Sequence, residues 1–444
     1  SAASDVYKRQ IQLGSYNMEA RNDAYFWRGE SYYRMGEYEN AISDYRTYLN
    51  NTRQRNTDMY ALAYYNLGYS YFKLRDYSAA LNRFRQYVDL ESNRQAASLA
   101  DAYNRIGDCL YQNRQFSLAE ENYSRAAQLS PSAGDYSIYQ KGFLLGLQKD
   151  YKGKISAMDR LISEYPESQY VDDALFEKGR SYVLLENSSS AAQAFEKLIR
   201  EFPQSSLARK AGIQLGLLYY NDNQPEKALA AYKQVISNYP GSEEAKIALQ
   251  DLKSVYIDLN DINAYASYVN SIGGNIRLEV GEQDSLTYIA AEKLFMRGDN
   301  DGARRSLINY LQTFPEGAFS SNANFYLGSI AFAKKEFDEA IQRFKSVIAS
   351  GDTKFLEESV ARTAEIEYLS KDYPAALESF KRLQIVAENP ENRQAARLGI
   401  MRCALQTGQQ KDALLAADEL LKEPKLSPEP VSYTHLRAHE TCAD

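Results

Sequence analysis

One spacing recurs along this chain: a small residue, an Ala twelve positions later, and an aromatic four beyond that. It stands at Gly29/Ala41/Tyr45, Gly68/Ala80/Phe84, Gly107/Ala119/Tyr123, Gly179/Ala191/Phe195, Gly216/Ala228/Tyr232 and Gly328/Ala340/Phe344. Weaker copies are Gly142/Lys154/Met158, Ala291/Ala303/Leu307, Ala364/Ala376/Phe380 and Met401/Ala413/Ala417, and Lys253/Tyr265/Val269 is degenerate. Successive anchors are 35 to 39 residues apart, which gives eleven copies. A period of this size marks a stack of small units that bury their apolar faces on one another. The length of 444 residues therefore reflects repetition rather than a count of separate cores.

Each position has a physical reason. The unit reads as two antiparallel helices, A and B. The Gly and Ala sit where the two backbones approach most closely, leaving no room for a larger side chain. The aromatic one turn after the Ala fills the wedge between hairpins. A Pro falls 24 residues after the anchor at Pro131, Pro166, Pro203, Pro240 and Pro315, and ends helix B because it has no N–H to donate. Between A and B come turn residues and an aromatic, as in Gly36-Glu37-Tyr38, Asp76-Tyr77, Gln115-Phe116, Asp150-Tyr151, Glu336-Phe337 and Asp372-Tyr373. That aromatic is expected against helix B. In the joins Tyr165-Pro166-Glu167-Ser168, Phe202-Pro203-Gln204-Ser205 and Tyr239-Pro240-Gly241-Ser242, the Ser is placed to cap the next helix A.

This is the tetratricopeptide pattern W-x2-L-G-x2-Y…A-x3-F…P. The chain resembles that family over residues 11–430, which implies an all-α, right-handed solenoid of about eleven helix-turn-helix units. The long Tyr/Phe-Pro-x-Ser join is similar to that of bacterial envelope members, such as the lipoprotein subunit of the outer-membrane barrel-assembly machine and the periplasmic partner of the Tol–Pal system. The Tyr-rich units, with Leu286-Thr-Tyr-Ile-Ala-Ala-Glu292 and Phe314-Pro-Glu-Gly317, also look like long tetratricopeptide proteins of Bacteroidota.

The two ends stand outside the pattern. Asp5–Gln10 and Val431–Leu436 back-translate into the same transposon-adaptor DNA element on opposite strands. Residues 1–10 and 431–444 are therefore read as translated sequencing adaptor flanking an internal gene fragment. His435, His439 and Cys442 go with them, so 11–430 holds no His and two Cys, Cys109 and Cys403. A run with Gly273, Gly274 and Gly281 marks a break or hinge at 271–284, between solenoid halves at 11–270 and 285–430.

The composition excludes several functions. A net charge of −7 argues against nucleic acid, which is bound through clustered Lys and Arg. No apolar run is long enough to span a membrane. Without His there is no Ser-His or Cys-His nucleophile pair and no ordinary zinc site, so no catalytic residue, metal or cofactor is assigned. The acidic pairs Asp172-Asp173, Glu243-Glu244 and Glu357-Glu358 read as first-turn charges favouring helix starts. Cys109 and Cys403 read as buried structural thiols, eight units apart and too distant to pair.

In the tetratricopeptide family, helix A lines a concave groove through positions three before, one after and four after the anchor. Here they are Phe26/Glu30/Tyr33, Tyr65/Tyr69/Phe72, Asn104/Asp108/Tyr111, Tyr139/Phe143/Gly146, Phe176/Arg180/Val183 and Ile213/Leu217/Tyr220, then Tyr288/Glu292/Phe295 and Phe325/Ser329/Phe332. The resemblance implies that Phe26, Tyr33, Tyr65, Tyr69, Phe72, Asn104, Tyr111, Tyr139, Phe143, Phe176, Arg180 and Tyr220 form an aromatic groove for peptide or protein segments. The Lys/Asn clamp that chaperone-tail-binding members use for a C-terminal carboxylate is missing, so the Hsp70/Hsp90 co-chaperone role is excluded.

The expectation is a non-enzymatic scaffold for protein partners in a bacterial envelope, periplasmic or at the outer membrane, with a cytoplasmic site as the alternative. Two rivals remain: a docking arm of a larger enzyme or regulator whose catalytic domain lies elsewhere, and a solenoid that stacks on itself.

Overall fold

A computed structural model describes residues 18–273 and 276–422. The adaptor-like ends, with His435, His439 and Cys442, lie outside the described residues, as does Gly274. The described residues form twenty-two α-helices and no strand. Odd-numbered helices are A helices and even-numbered ones B helices. They are α1 (Met18–Arg34), α2 (Tyr38–Asn51), α3 (Asp58–Lys73), α4 (Tyr77–Leu90), α5 (Ala97–Gln112), α6 (Phe116–Leu129), α7 (Asp135–Leu147), α8 (Tyr151–Glu164), α9 (Val171–Leu184), α10 (Ser188–Glu201), α11 (Ser206–Asn221) and α12 (Pro225–Asn238). There follow α13 (Glu243–Asp258), α14 (Ile262–Ile272), α15 (Val280–Met296), α16 (Asn300–Thr313), α17 (Ser320–Ala333), α18 (Phe337–Ser350), α19 (Thr353–Leu369), α20 (Tyr373–Val386), α21 (Pro390–Gln406) and α22 (Gln410–Leu421).

The chain separates into two compact units between Leu249 and Gln250, inside α13 of the degenerate seventh repeat. In each unit the core is a run of clusters, each shared by neighbouring repeats. In the first, Ile42 and Leu49 of α2 are buried in a cluster with Tyr60, Ala63 and Leu67 of α3. In the second, Leu377 of α20 is buried with Ala396 and Ile400 of α21. The stretch expected as a break, 271–284, overlaps the end of α14 and the first residues of α15, and Gly273, just after α14, has φ +78°.

The anchor spacing works as a lock within each hairpin. The ring of the repeat's aromatic lies over its own anchor glycine. A Cβ on Gly107 would stand 2.6 Å from Tyr123, and one on Gly328 2.8 Å from Phe344. The paired alanines Ala41, Ala80, Ala119, Ala191, Ala228, Ala303, Ala340 and Ala376 are wholly buried. The fourth repeat departs from this: Gly142 faces Met158, and Lys154 takes the Ala position.

All eleven A-to-B turns share a device that the sequence pattern did not announce. The residue seven after the anchor is left-handed: Gly36, Arg75, Arg114, Lys149, Glu186, Asn223, Asn260, Gly298, Lys335, Lys371 and Gly408, with φ between 54° and 83°. At Arg75 this closes helix A as a Schellman turn: Arg75 N–H donates to Phe72 O and Asp76 N–H to Tyr71 O, each at 3.0 Å. The Asp76 carboxylate then accepts the Ala79 N–H at 3.0 Å and opens helix B. One residue thus ends one helix and begins the next.

Three local expectations change. The turn aromatic is the first residue of helix B, but its ring packs against helix A, as in Tyr33–Tyr38 (5.5 Å between centroids), Phe72–Tyr77 (5.4 Å) and Tyr111–Phe116 (5.8 Å). Ser205 caps helix A by accepting the Leu207 N–H, and Ser242 accepts that of Ala245, whereas Ser168 accepts the Tyr170 N–H ahead of a helix that starts at Val171. Glu357 lies beyond the first turn of α19. It instead accepts the backbone N–H groups of Glu388 and Asn389 and the Asn392 amide, just before and within the start of α21. Those donors hold its carboxyl below the usual range, although burial opposes them.

Candidate partner-binding surface

The inward A-helix positions of the first unit are mostly committed to internal contacts. Phe26 is buried, edge-on to Tyr45 and Tyr48. Asn104 is also buried and accepts the Ser137 hydroxyl at 2.9 Å. Tyr33, Phe72 and Tyr111 are half-buried against the turn aromatics. Tyr65 and Tyr69 meet edge to face at 5.0 Å, lie against Phe84, and both donate to the Asp101 carboxylate of the next repeat. Burial, then the Asp101 charge, raises both phenols and keeps them as donors.

The third repeat continues this network. Asp108 accepts Tyr123 at 2.7 Å and Tyr136 at 2.8 Å and pairs with Arg105 at 2.7 Å. The Arg105 guanidinium lies over the rings of Tyr136 and Phe72. Burial raises the Asp108 carboxyl, while Arg105 and the two phenols pull it down. These carboxylates serve tyrosines and Arg105, which suits rigid positioning of the A helices rather than proton transfer to a substrate.

In the fourth and fifth repeats the chemistry shifts. Tyr139 stacks on Tyr170 at 5.1 Å and is hydrogen-bonded to Asp173. Lys154, buried below Gly146, pairs with Glu177, and its amine lies 5.5 Å from the Phe143 ring centroid. Phe143 also sits 6.5 Å from Tyr111, and Phe176 lies 5.9 Å from Phe195. Tyr220 is half-buried. Of the twelve residues read from the sequence, Arg180 alone is exposed, with Glu177 at 3.2 Å. The structure thus brings Tyr65 with Tyr69 and Tyr111 with Phe143 into contact, and places Phe26 and Asn104 in the interior.

Beside Arg180, these helices leave aliphatic side chains open. Leu147, Val183, Leu184 and Leu217 are between 38% and 57% exposed. They lie one, four or five residues after their anchors, on neighbouring helices α7, α9 and α11, along one helix face. Leu147 and Leu184 lie five after the anchor, where the first three repeats carry Arg34, Lys73 and Gln112. That change from polar to aliphatic was the available signal; it falls outside the repeat's own pattern and was missed.

Among the described residues no group of three or more His, Cys, Asp or Glu is placed to hold a metal ion, and no helix is long and apolar enough to cross a membrane. Cys109 and Cys403 are free and fully buried.

Stacked helical hairpins with small residues at most crossings define an α-solenoid of the repeat-scaffold class. Family models for tetratricopeptide repeats match residues 23–51, 65–134, 136–168 and 290–353, and the model of the outer membrane lipoprotein YfiO matches 172–250. The chain is a tetratricopeptide repeat protein, of a scaffold family that is generally non-catalytic. No curated protein sequence matches it significantly.

Solved structures similar to it include the C-terminal part of a repeat protein from Cytophaga hutchinsonii, at 20% identity and TM-score 0.47, covering 55% of this chain and 93% of that one. Another is a tetratricopeptide protein from Parabacteroides merdae, at 16% identity and TM-score 0.37, covering 68% and 98%. A third is YrrB, described as having an unusual peptide-binding site, at 21% identity and TM-score 0.37, covering 47% and 98%.

Proposed function

We propose that this protein is a non-enzymatic scaffold that holds apolar segments of protein partners on the A-helix face of its fourth to sixth repeats. The observation that carries this reading is the aligned exposure of Leu147, Val183, Leu184 and Leu217 on three successive A helices. Large apolar side chains exposed at related positions of neighbouring helices favour a contact site. Phe143, Phe176 and Tyr220 lie on the same three helices, and Asp108 ties the first of them, α7, to α5 by accepting the Tyr136 hydroxyl at 2.8 Å. Preorganised walls reduce the entropy lost on binding. The aromatic residues read from the sequence act here as a frame, and Arg180, at the register of Leu217, adds one charge to the face.

The match of 172–250 to an outer membrane lipoprotein supports a place in a bacterial envelope, and that segment contains Val183, Leu184 and Leu217. Selection from a random displayed-peptide library tests the binding claim. Enriched peptides are expected to carry aliphatic or aromatic residues and to lose binding to Leu184→Asp. Enrichment that Leu184→Asp and Leu217→Asp leave untouched would place the site elsewhere.

A further inference from the structure

The inner faces of successive A helices meet in a fixed register. The side chain six before one anchor reaches those three before and one after the anchor of the preceding repeat. Asp101 accepts Tyr65 at 2.7 Å and also accepts Tyr69. Asp173 is hydrogen-bonded to Tyr139, and Asn322 donates to Tyr288 at 3.3 Å. In the sixth repeat that position is Lys210, so the same register sets Lys210 of α11 beside Phe176 and Arg180 of α9. Both cations are exposed, and Lys210 makes no ion pair among the described residues.

Charge on this inner face changes sign along the array. Six before and one after the anchor, the first four repeats carry Asp23, Glu30, Asp101 and Asp108 and no cation. The carboxylates around Arg180 are already shared. Glu177 holds Arg180 at 3.2 Å with one oxygen and Lys154 with the other. Lys154 replaces the buried Ala of other repeats and runs under Gly146, where a Cβ would stand 2.8 Å from its Cδ. The first three repeats have Tyr33, Phe72 and Tyr111 at the position of Gly146. Lys154 and Gly146 together bring an ammonium to the carboxylate that would otherwise neutralise Arg180. Asp173, one turn before Glu177, is taken by Tyr139, and Asp172 by Ser205 at 2.7 Å. Two cations on one carboxylate leave surplus positive charge, and Lys210 adds to it. Apolar side chains flank the pair: Leu217 stands at the register of Arg180 one repeat on, and Ile247, 47% exposed, at that of Lys210.

We infer, on the scaffold function just proposed, that the partner segment carries an Asp or Glu side chain beside its apolar residues, and that Arg180 and Lys210 receive that carboxylate. A charge-assisted bond fixes the segment's position while its neighbours bury apolar surface. The test is selection from a random displayed-peptide library on the full chain at low ionic strength, followed by titration of one synthetic winner. Winners are expected to be enriched in Asp or Glu as well as in aliphatic residues. Replacing the winner's acids by their amides should weaken binding at least about threefold, and Arg180→Gln with Lys210→Gln should remove that difference. Arg180→Glu with Lys210→Glu should turn the selected preference from acidic to basic, an outcome that a misfolded variant cannot give. Aliphatic winners without an acidic excess, or an acidic excess that survives both double variants, overturn this inference and leave the scaffold reading standing. Acidic winners that ignore Leu184→Asp with Leu217→Asp overturn instead the reading of the aliphatic strip, on which the inference rests.

Discussion

Phe84 lies flat across Gly68: a Cβ on Gly68 would stand 2.9 Å from two carbons of the Phe84 ring. Both residues are buried, so neither can move aside freely. Gly68→Leu is expected to cost about 1–3 kcal/mol by overpacking. Gly281, with open space around it and ordinary φ, is the control: Gly281→Ala should be neutral or slightly stabilising. Denaturant midpoints of the two variants decide the matter, and a neutral Gly68→Leu would mean that the repeat phase is wrong.

The eight left-handed turn residues other than Gly store strain. Glu186 has φ +57°, is exposed, and closes α9 through its N–H to Val183 O at 3.0 Å. A non-Gly residue there costs about 1–2 kcal/mol, part of which Gly returns as chain entropy on folding. Glu186→Gly should therefore raise stability by about 0.5–1 kcal/mol, measured as a higher denaturant midpoint. A loss would show that Glu186 makes a contact worth more than its strain.

The spacing of Gly, Ala and aromatic made the hairpins legible because close backbone approach admits one answer at those positions. The turns were less legible. Arg75, Lys149 and Glu186 have no intrinsic left-handed preference, and the hairpin imposes it on them. The groove was legible as positions and not as chemistry. Whether Tyr33 or Phe72 is free depends on Tyr38 and Tyr77 across the turn, and Phe26 is claimed by Tyr45 and Tyr48. Leu147 and Leu184 sit outside the repeat's pattern and stood out only once their exposure was known.

Asp173 provides a pH signature. Burial, then the charges of Asp172 and Glu177, raise its carboxyl above the usual 3.8, against the bond from Tyr139. A raised native carboxyl binds its proton more tightly than the unfolded chain does, so its contribution is present in acid and lost as pH rises through the native value. Asp173→Asn removes that loss. The variant should be more stable than wild type at pH 7, and the gap should close below pH 3.8. A gap independent of pH would assign the effect to packing.

Burial pushes the thiols of Cys109 and Cys403 up to about 12. Thiolate is the reactive form, so both should resist iodoacetamide at pH 8 in the folded protein and react once it is unfolded in denaturant. Peptide mass spectrometry reads each site separately. Rapid native labelling of Cys109 would show that the third repeat opens far more readily than its packing implies.

Partner binding by the aliphatic strip on α7, α9 and α11 is the activity proposed for this protein. Its most direct measurement is calorimetric titration of one library-selected peptide into wild type, into Leu184→Asp with Leu217→Asp, and into Leu118→Asp. Leu118 is an exposed leucine on α6, a B helix. Placing charges in a desolvated apolar contact costs at least about 1.4 kcal/mol, a tenfold change in Kd. The account predicts at least tenfold weaker binding for the double variant and an unchanged Kd for Leu118→Asp; equal Kd values for all three proteins would contradict it.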